Sequence, residues 1–458
     1  MQKALLFKIL IVVGLMFVIG IPLAMIQSTI QERMAFRNDA VRSIAADSVR
    51  EQTVIGPIVA IPYTDEYEEQ EDLSDGKSKK TRIVKHSLNK QALVFPNELR
   101  INGNIDTDRR YRGIHKVLVY SGQYAVSGDF VLPKSTDLAR EKPNSRITLG
   151  QPFIALSIED VRGIRNNPKI NWDGKQIEFE HGSGLAAFKN GVHATLAATD
   201  LKEPVAIKFA FDLGLDGIER QHFAPVAKNT QVTLASKWPH PQFGGRFLPS
   251  PNARRIDENG FAATWNISAL ATNAQHQLTA FEKTQNFADS VSAPLEWLDR
   301  FSVGFIEPIN IYSQADRAIK YGLLFVALTF AAFFLFEILK KLPIHPIQYT
   351  LVGLALALFF LLLVSLSEHM GFVYAYLIAS GACIVLIGFY LSFVLCDRRR
   401  GFGFGIALTI LYAVLYGLLR SENNALVMGS ILLFAVLSAI MVATRKVDWY
   451  QIGKPGGS

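Results

Sequence analysis

The sequence predicts an α+β membrane protein, a six-helix transmembrane bundle with a large β-rich, two-sheet domain inserted between helices one and two. Three observations carry this expectation. Long apolar runs occur at the N-terminus and again over the last third of the chain. Between them, hydrophobicity alternates with a period of two in short segments separated by turn residues. Half of the 458 residues are apolar and only 19% are charged, a composition that leans toward membranes.

The apolar runs long enough to cross a bilayer are 4–26, 319–339, 349–366, 372–395, 402–419 and 425–444. The first exceeds the usual apolar stretch of a signal peptide, and "IPLAMIQS" is a poor cleavage site. Residues 1–26 are therefore expected to be an uncleaved anchor. Orientation follows from Lys and Arg near the span ends. Lys3, Lys8, Lys340, Lys341, Arg398, Arg399, Arg400, Arg445 and Lys446 all fall on one side if the N-terminus is cytoplasmic. This places both termini in the cytoplasm and residues 27–317 outside it, which in a bacterium means the periplasm.

Net charge is +7, and its distribution excludes one class of function. Residues 27–317 carry 35 basic and 35 acidic residues, whereas residues 318–458 carry ten and five. The excess belongs to membrane flanks, so no nucleic-acid-binding face is expected. Cys383 and Cys396 share one helical run about 20 Å apart, too far to bond.

Residues 27–52 contain helix formers and no Gly or Pro, and predict a juxtamembrane helix continuing outward from the anchor. Residues 53–317 carry the strand patterns "PIVAIPY", "RIVKHSL", "KVLVYSGQYAVSGDFVL", "PFIALSI", "QIEFE", "VAIKFAFDL" and "TQVTLASKW". "NGN", "DGK" and "NPK" have the composition of turns. The acidic run "DEYEEQED" followed by "DGKSKK" reads as a long solvated hairpin loop without the ordered spacing of a Ca²⁺ site. Residues 266–300 are more helical and polar, and read as an insertion or a connector back to the membrane. Residues 318–446 then form the five-helix remainder of the bundle, and residues 447–458 a cytoplasmic tail.

No enzyme motif survives inspection. "HGSGLA" is not a nucleophile elbow, and there is no H-E-x-x-H, Cys/His cluster or Walker loop. No catalytic residue, metal or cofactor is expected; scattered histidines such as His181, His193 and His240 are read as surface or hydrogen-bonded residues. In "WPHPQFGGRFLPSP", Pro239 and Pro241 force His240 into extended backbone, and Trp238, Phe243 and Phe247 pack the segment down. It is a candidate partner or ligand loop, weighed against a rigid edge that closes a sheet. Glu337, in the last turn of the second span, is read as snorkelling beside Lys340 and Lys341. "RRRGFGFG" makes Arg398, Arg399 and Arg400 candidate contacts for anionic lipid head groups, weighed against an ordinary positive-inside anchor.

Glu368 and His369 stand side by side in "SLSEHMGF" between the third and fourth spans. Neighbours on a helix point about 100° apart, so an acid–base pair acting together is not expected. Asp316, Arg317 and Lys320 enter the membrane at the same depth. Arg317, Lys320, Glu368 and His369 are therefore a candidate joint between domain and bundle, with Glu368 expected to pair with Arg317 or Lys320.

Over nearly its whole length the chain resembles the CreD family of inner-membrane proteins. The resemblance rests on "VIGPIVAIPY", "PFIALSIEDVRGI", "SKWPHPQFGGRFLP", "DRAIKYGLLFVALTFAAFFLFE", "HPIQYTLVGLALALFFLLLVSLSEHMGF" and "VDWY". It implies a periplasmic domain on a multi-span bundle, and links to envelope integrity, envelope stress, colicin tolerance, a two-component regulon and, in some relatives, β-lactam response. It implies no reaction and no catalytic residue. The expected function is non-enzymatic envelope maintenance, in contact with the phospholipid bilayer and through a periplasmic protein or envelope ligand. The alternatives are a transporter or lipid-handling protein and an intramembrane enzyme. Oligomeric state is not readable from the sequence.

Overall fold

A computed structural model describes residues 2–74, 79–113, 115–198, 201–283, 293–307, 311–340, 344–394, 398–420 and 425–445. The chain divides into two compact units, Met1–Asp39 with Ile309–Ser458, and Ala40–Pro308. The described helices are α1 (Gln2–Asp47), α2 (Ala274–Lys283), α3 (Ala293–Trp297), α4 (Ile311–Lys320), α5 (Gly322–Lys340), α6 (Pro346–Ser367), α7 (Phe372–Val394), α8 (Arg398–Arg420) and α9 (Ala425–Thr444).

Helices build the first unit because lipid offers no partner for an open backbone group. Among the described residues, five stretches are long and apolar enough to cross a membrane: Leu6–Asp47, Ser313–Leu335, Pro346–Ser367, Phe372–Val394 and Gly401–Arg420. Within α9, Val427–Val442 is a shorter apolar stretch. The start of α6 is written locally. The His345 ring accepts from the Ile347 N–H, the Gln348 side chain accepts from the His345 N–H, and Pro346 occupies the first turn. The core joins Ile19 and Ile30 of α1 to Phe330 and Phe333 of α5, Tyr349 and Phe360 of α6, and Tyr412 of α8. Gly353 permits the close approach, since a Cβ there would lie 2.8 Å from Ile19 and 2.9 Å from Phe330.

The second unit is two sheets on one core. The chain forms β1 (Gln52–Ser74), β2 (Lys79–Val94), β3 (Glu98–Arg112), β4 (His115–Leu132), β5 (Arg146–Leu149) and β6 (Phe153–Ile158). It continues through β7 (Lys169–Trp172), β8 (Lys175–Glu178), β9 (Glu180–His181), β10 (Gly191–Thr195), β11 (Val205–Ile218) and β12 (Arg220–Phe223). Last come β13 (Asn229–Ser236), β14 (Pro241–Gly245), β15 (Arg254–Asp257), β16 (Gly260–Ser268) and β17 (Phe301–Phe305).

The nine-stranded sheet runs β14-β17-β12-β1-β6-β10-β9, with β2 and β5 also on β1. The eight-stranded sheet runs β15-β16-β13-β3-β4-β11-β7-β8. Ile58, Ile154 and Phe301 from the first sheet and Ile101, Phe130, Phe209 and Trp265 from the second are buried in one cluster. Alternating strands bury every second residue, so each sheet contributes one apolar face. The last eight residues of α1 belong to this unit. Ile44 packs on Val117 and Ile218, and the Arg162 guanidinium donates to the carbonyls of Ala45 and Ala46.

Two local readings are corrected. The acidic run 65–72 is not a loop but the outer half of β1, paired residue by residue with 81–88 of β2. Its partner strand is basic, and Glu68 meets Lys85 at 3.3 Å. "NGN", Asn102 to Asn104, is not a turn but the interior of β3, hydrogen-bonded on both sides. A Cβ on Gly103 would lie 2.7 Å from both Leu234 and the Tyr124 ring, so packing demands a glycine there. "DGK" occurs twice, at residues 75–77, outside the described residues, and at 173–175, where Asp173 and Gly174 do form the turn between β7 and β8. The region 266–300 holds the end of β16, then α2 and α3.

Asp65, first in the acidic run, is fully buried. It accepts from the Lys90 ammonium at 2.9 Å and from the Glu141 N–H at 2.6 Å. Burial opposes its charge, but the Ser145 hydroxyl, Lys90 and the Glu141 N–H outweigh it and hold the pKa at about 2. An unfolded Asp titrates near ~4. The stability that Asp65 contributes is thus complete above that value and is lost as pH falls to about 2. Asp65→Asn should be less stable than wild type at neutral pH, with the gap closing across this window in denaturant titrations; a gap independent of pH would contradict the assignment.

Candidate functional site

A concavity of the β unit lies on the outer surface of its eight-stranded sheet. Registers place Arg100 opposite Ser127, Ser127 opposite Ala210, and Ala210 opposite Asn171. The adjoining row is Glu98, Asp129 and Lys208. Together with the turn at Asp173 and Gly174 they enclose a groove of about 620 Å³, open to solvent. Its size falls within the ~300–1,000 Å³ range of small-molecule sites.

The floor is low because Ser127, Gly128, Ala210 and Gly174 are small. Gly128 is required, since a Cβ would lie 2.0 Å from the Glu98 carbonyl. The turn that forms one wall is held by the Gly174 N–H donating to Asn171 at 2.9 Å, with Asp173 at φ 49°. Around the floor stand charges of both signs. Glu98 accepts from Asn229 at 2.9 Å and lies 4.0 Å from Arg100, and Asp129 accepts from Asn97 at 3.2 Å. Lys208 makes no ion pair among the described residues. Hydroxyl, amide and charge over small residues suit recognition by hydrogen bonding rather than by burial of apolar surface.

The sequence did not single out this groove, because its residues come from four strands of the sheet. The stretch it did single out stands elsewhere. Pro241–Gly245 is the outermost strand of the other sheet, paired with β17. Trp238 donates from its indole to the carbonyls of His240 at 3.2 Å and Ile306 at 3.1 Å, with Arg109 5.4 Å over its ring. Phe243 packs edge-on against Trp265 at 5.4 Å, and the Phe247 carbonyl accepts from the Trp265 indole at 3.2 Å. Of Trp238, His240, Phe243 and Phe247, His240 is the one left exposed. Among the described residues, no group of three His, Cys, Asp or Glu is placed to hold a metal ion.

In the helical unit, Glu337 does not snorkel. It is buried, and three donors reach it: the Lys8 ammonium, the Tyr349 hydroxyl at 2.8 Å and the Ile344 N–H at 3.3 Å. The signal was present as one acid and one base, each inside an apolar run. Glu368 lies 3.6 Å from Arg33 of α1, a partner outside the expected pair. Lys320 pairs with Asp316 on its own helix at 2.7 Å, Arg317 is half-buried and partnered, and His369 is exposed. Arg399 is exposed at the start of α8, whereas the side chains of Arg398 and Arg400 lie outside the described residues.

Several apolar helices of spanning length, joined in one chain to a double-sheet domain, define a multi-pass membrane protein. The family model described as "Inner membrane protein CreD" matches residues 4–450. The chain is 35% identical over 457 residues to the inner membrane protein CreD of Escherichia coli (strain K12), covering 99% of this chain and 96% of that protein. It belongs to the CreD family of inner membrane proteins.

Glu337→Ala should leave Lys8, Tyr349 and Ile344 without their acceptor and destabilise the helical unit by ~3 kcal/mol or more. Tyr349→Phe, which removes one donor, should cost about 1 kcal/mol. Thermal unfolding of the purified full-length protein checks both, and equal effects would show that the carboxylate is not the centre of the cluster. At the other end of the bundle, Glu368→Arg should destabilise by up to ~1 kcal/mol, and adding Arg33→Glu should recover it. A double variant no better than the single one rules that pair out as a stabilising contact.

Proposed function

We propose that this protein is a non-enzymatic guardian of cell-envelope integrity, serving stress and colicin tolerance through a ligand or partner of its β domain. The observation that carries the reading is the polar groove on the eight-stranded sheet, a formed and open site lined wholly by residues of the β unit. The buried charges of the helical unit support it from the other direction. All the donors around Glu337 are engaged with it, as packing requires.

In this reading α9 is a sixth span, completing the five helices of spanning length. The excess of Lys and Arg at one set of loop ends puts both termini in the cytoplasm and residues 53–317 in the periplasm. Arg398, Arg399 and Arg400 then face anionic head groups of the inner leaflet. Arg317, Lys320, Glu368 and His369, with Arg33, form the joint where the helical unit hands the chain to the domain. A second reading, lipid handling, draws on a narrow apolar crevice lined by Leu324, Phe325, Leu411, Leu415, Leu418 and Leu432. The intramembrane-enzyme reading has no comparable observation behind it.

Reporter fusions in the 368–371 and 421–424 loops should read as periplasmic, and a C-terminal fusion as cytoplasmic. Photo-crosslinking residues at Ser127 and Asn171, in growing cells, should give a defined adduct that is absent from an exposed position on the far sheet. Adducts confined to His240 would move the site to the Trp238 edge. Silence from both, with correct topology, would defeat the reading.

A further inference from the structure

The outer face of the eight-stranded sheet beyond the groove has an unusual composition for a strand surface. Its centre is the segment Asn102-Gly103-Asn104 of β3. Asn is depleted in strands, because its side chain competes for the backbone and leaves little to pack. Gly103 is explained by Tyr124 and Leu234 on the inner face. The two asparagines are not explained by packing, since both are exposed.

The registers show what they belong to. Asn104 stands opposite Gln123 of β4, and Arg100 opposite Gln231 of β13, which in turn stands opposite Asn266 of β16. Asn102, Asn104, Gln123, Gln231 and Asn266 are all exposed, and none makes a side-chain hydrogen bond among the described residues. Between them lie Ala125, Ala210, Gly214, Ala235 and Ala262, small residues that keep the floor low. Thr233 and Thr264 add a hydroxyl pair at 3.1 Å. Each of the three rows carries one exposed charge, Arg100, Asp212 opposite Ala125 and Arg255 opposite Ala262, so uncharged amides, hydroxyls and small residues outnumber charges on this face. The array adjoins the groove, with which it shares Arg100 and Ala210.

An array of unengaged amides over a shallow floor offers a donor and an acceptor at each position. The complement of these amides is a chain with hydroxyl and amide groups at regular spacing. We propose that this face binds an oligosaccharide of acetamido sugars, lying across the strands with one end in the groove. The proposal rests on the reading that the β domain acts on an envelope ligand, and it names the class of that ligand. Binding of short chains is weak, because no exposed aromatic ring stands in these rows to stack on a sugar, and it tightens with chain length.

The test uses the full-length protein in nanodiscs free of sugar detergents, with the hexamer and dimer of N-acetylglucosamine as probes and cellohexaose as control. Saturation-transfer NMR should show the hexamer bound more tightly than the dimer, and cellohexaose bound weakly or not at all. Asn102→Ala with Asn104→Ala should weaken hexamer binding at least ~10-fold, the effect of one lost hydrogen-bonding partner. The thermal midpoint should stay unchanged, since both side chains are exposed. Gln123→Ala should act in the same direction, and His240→Ala should not change binding. No hexamer binding, equal binding of cellohexaose, or binding indifferent to Asn102, Asn104 and Gln123 would overturn the assignment. If crosslinks still form in cells from Ser127 while the sugars fail, the ligand class is wrong and the envelope-ligand reading stands. If the fusions place the domain in the cytoplasm, both fall.

Discussion

A carboxylate inside a helical membrane unit must either meet donors or lose its charge, and Glu337 meets three. Its ammonium partner, Lys8, is 329 positions away in sequence, on the one helix that precedes the β domain. The remaining spans all follow that domain. The unit therefore depends on α1 finding α5 and α6 after a large insertion has been made. Non-directional contacts between apolar helices give little discrimination in lipid, where tails are as apolar as leucine. A buried charge pair supplies a register, and the contact of Gly353 with Ile19 and Phe330 supplies the fit.

The β unit solves a different problem. Its strands must bury one face each, so two sheets share one core, and the outer faces are left to carry specificity. On the eight-stranded sheet, small residues and polar ends make a groove, and a set of exposed amides extends from it. Buried carboxylates of this unit meet cations and backbone donors, as at Asp65 with Lys90 and at Asp299, which accepts from Arg246 at 2.8 Å and the Asn273 N–H at 2.9 Å. Asn102 and Asn104 sit in a strand against their preference, and they sit at the centre of the array.

Much of the architecture was legible because its signals are local. Apolar length marks membrane helices, and alternation marks half-buried strands, as in Val205–Ile218. The start of α6 could be read from His345, Pro346 and Gln348 alone. Readings failed where a local preference met a tertiary partner. The acidic run looked solvated until β2 laid a basic strand against it, and "NGN" looked like a turn until β4 and β13 flanked it. Glu337 looked superficial beside Lys340, because nothing near it in sequence points to Lys8. Arg33, 3.6 Å from Glu368, was not singled out, because α1 lies far from it in sequence.

By itself the sequence determined the class of protein: which segments are apolar enough for a membrane, where a β-rich domain interrupts them, and the family to which the chain belongs. These properties are carried by composition, periodicity and runs of consecutive residues. Only the tertiary structure decided which charges are paired, which strand closes a sheet, and where a groove opens. Each of those depends on residues brought together from distant strands and helices, and side-chain pairing energies of this kind leave no mark on the local pattern of either partner.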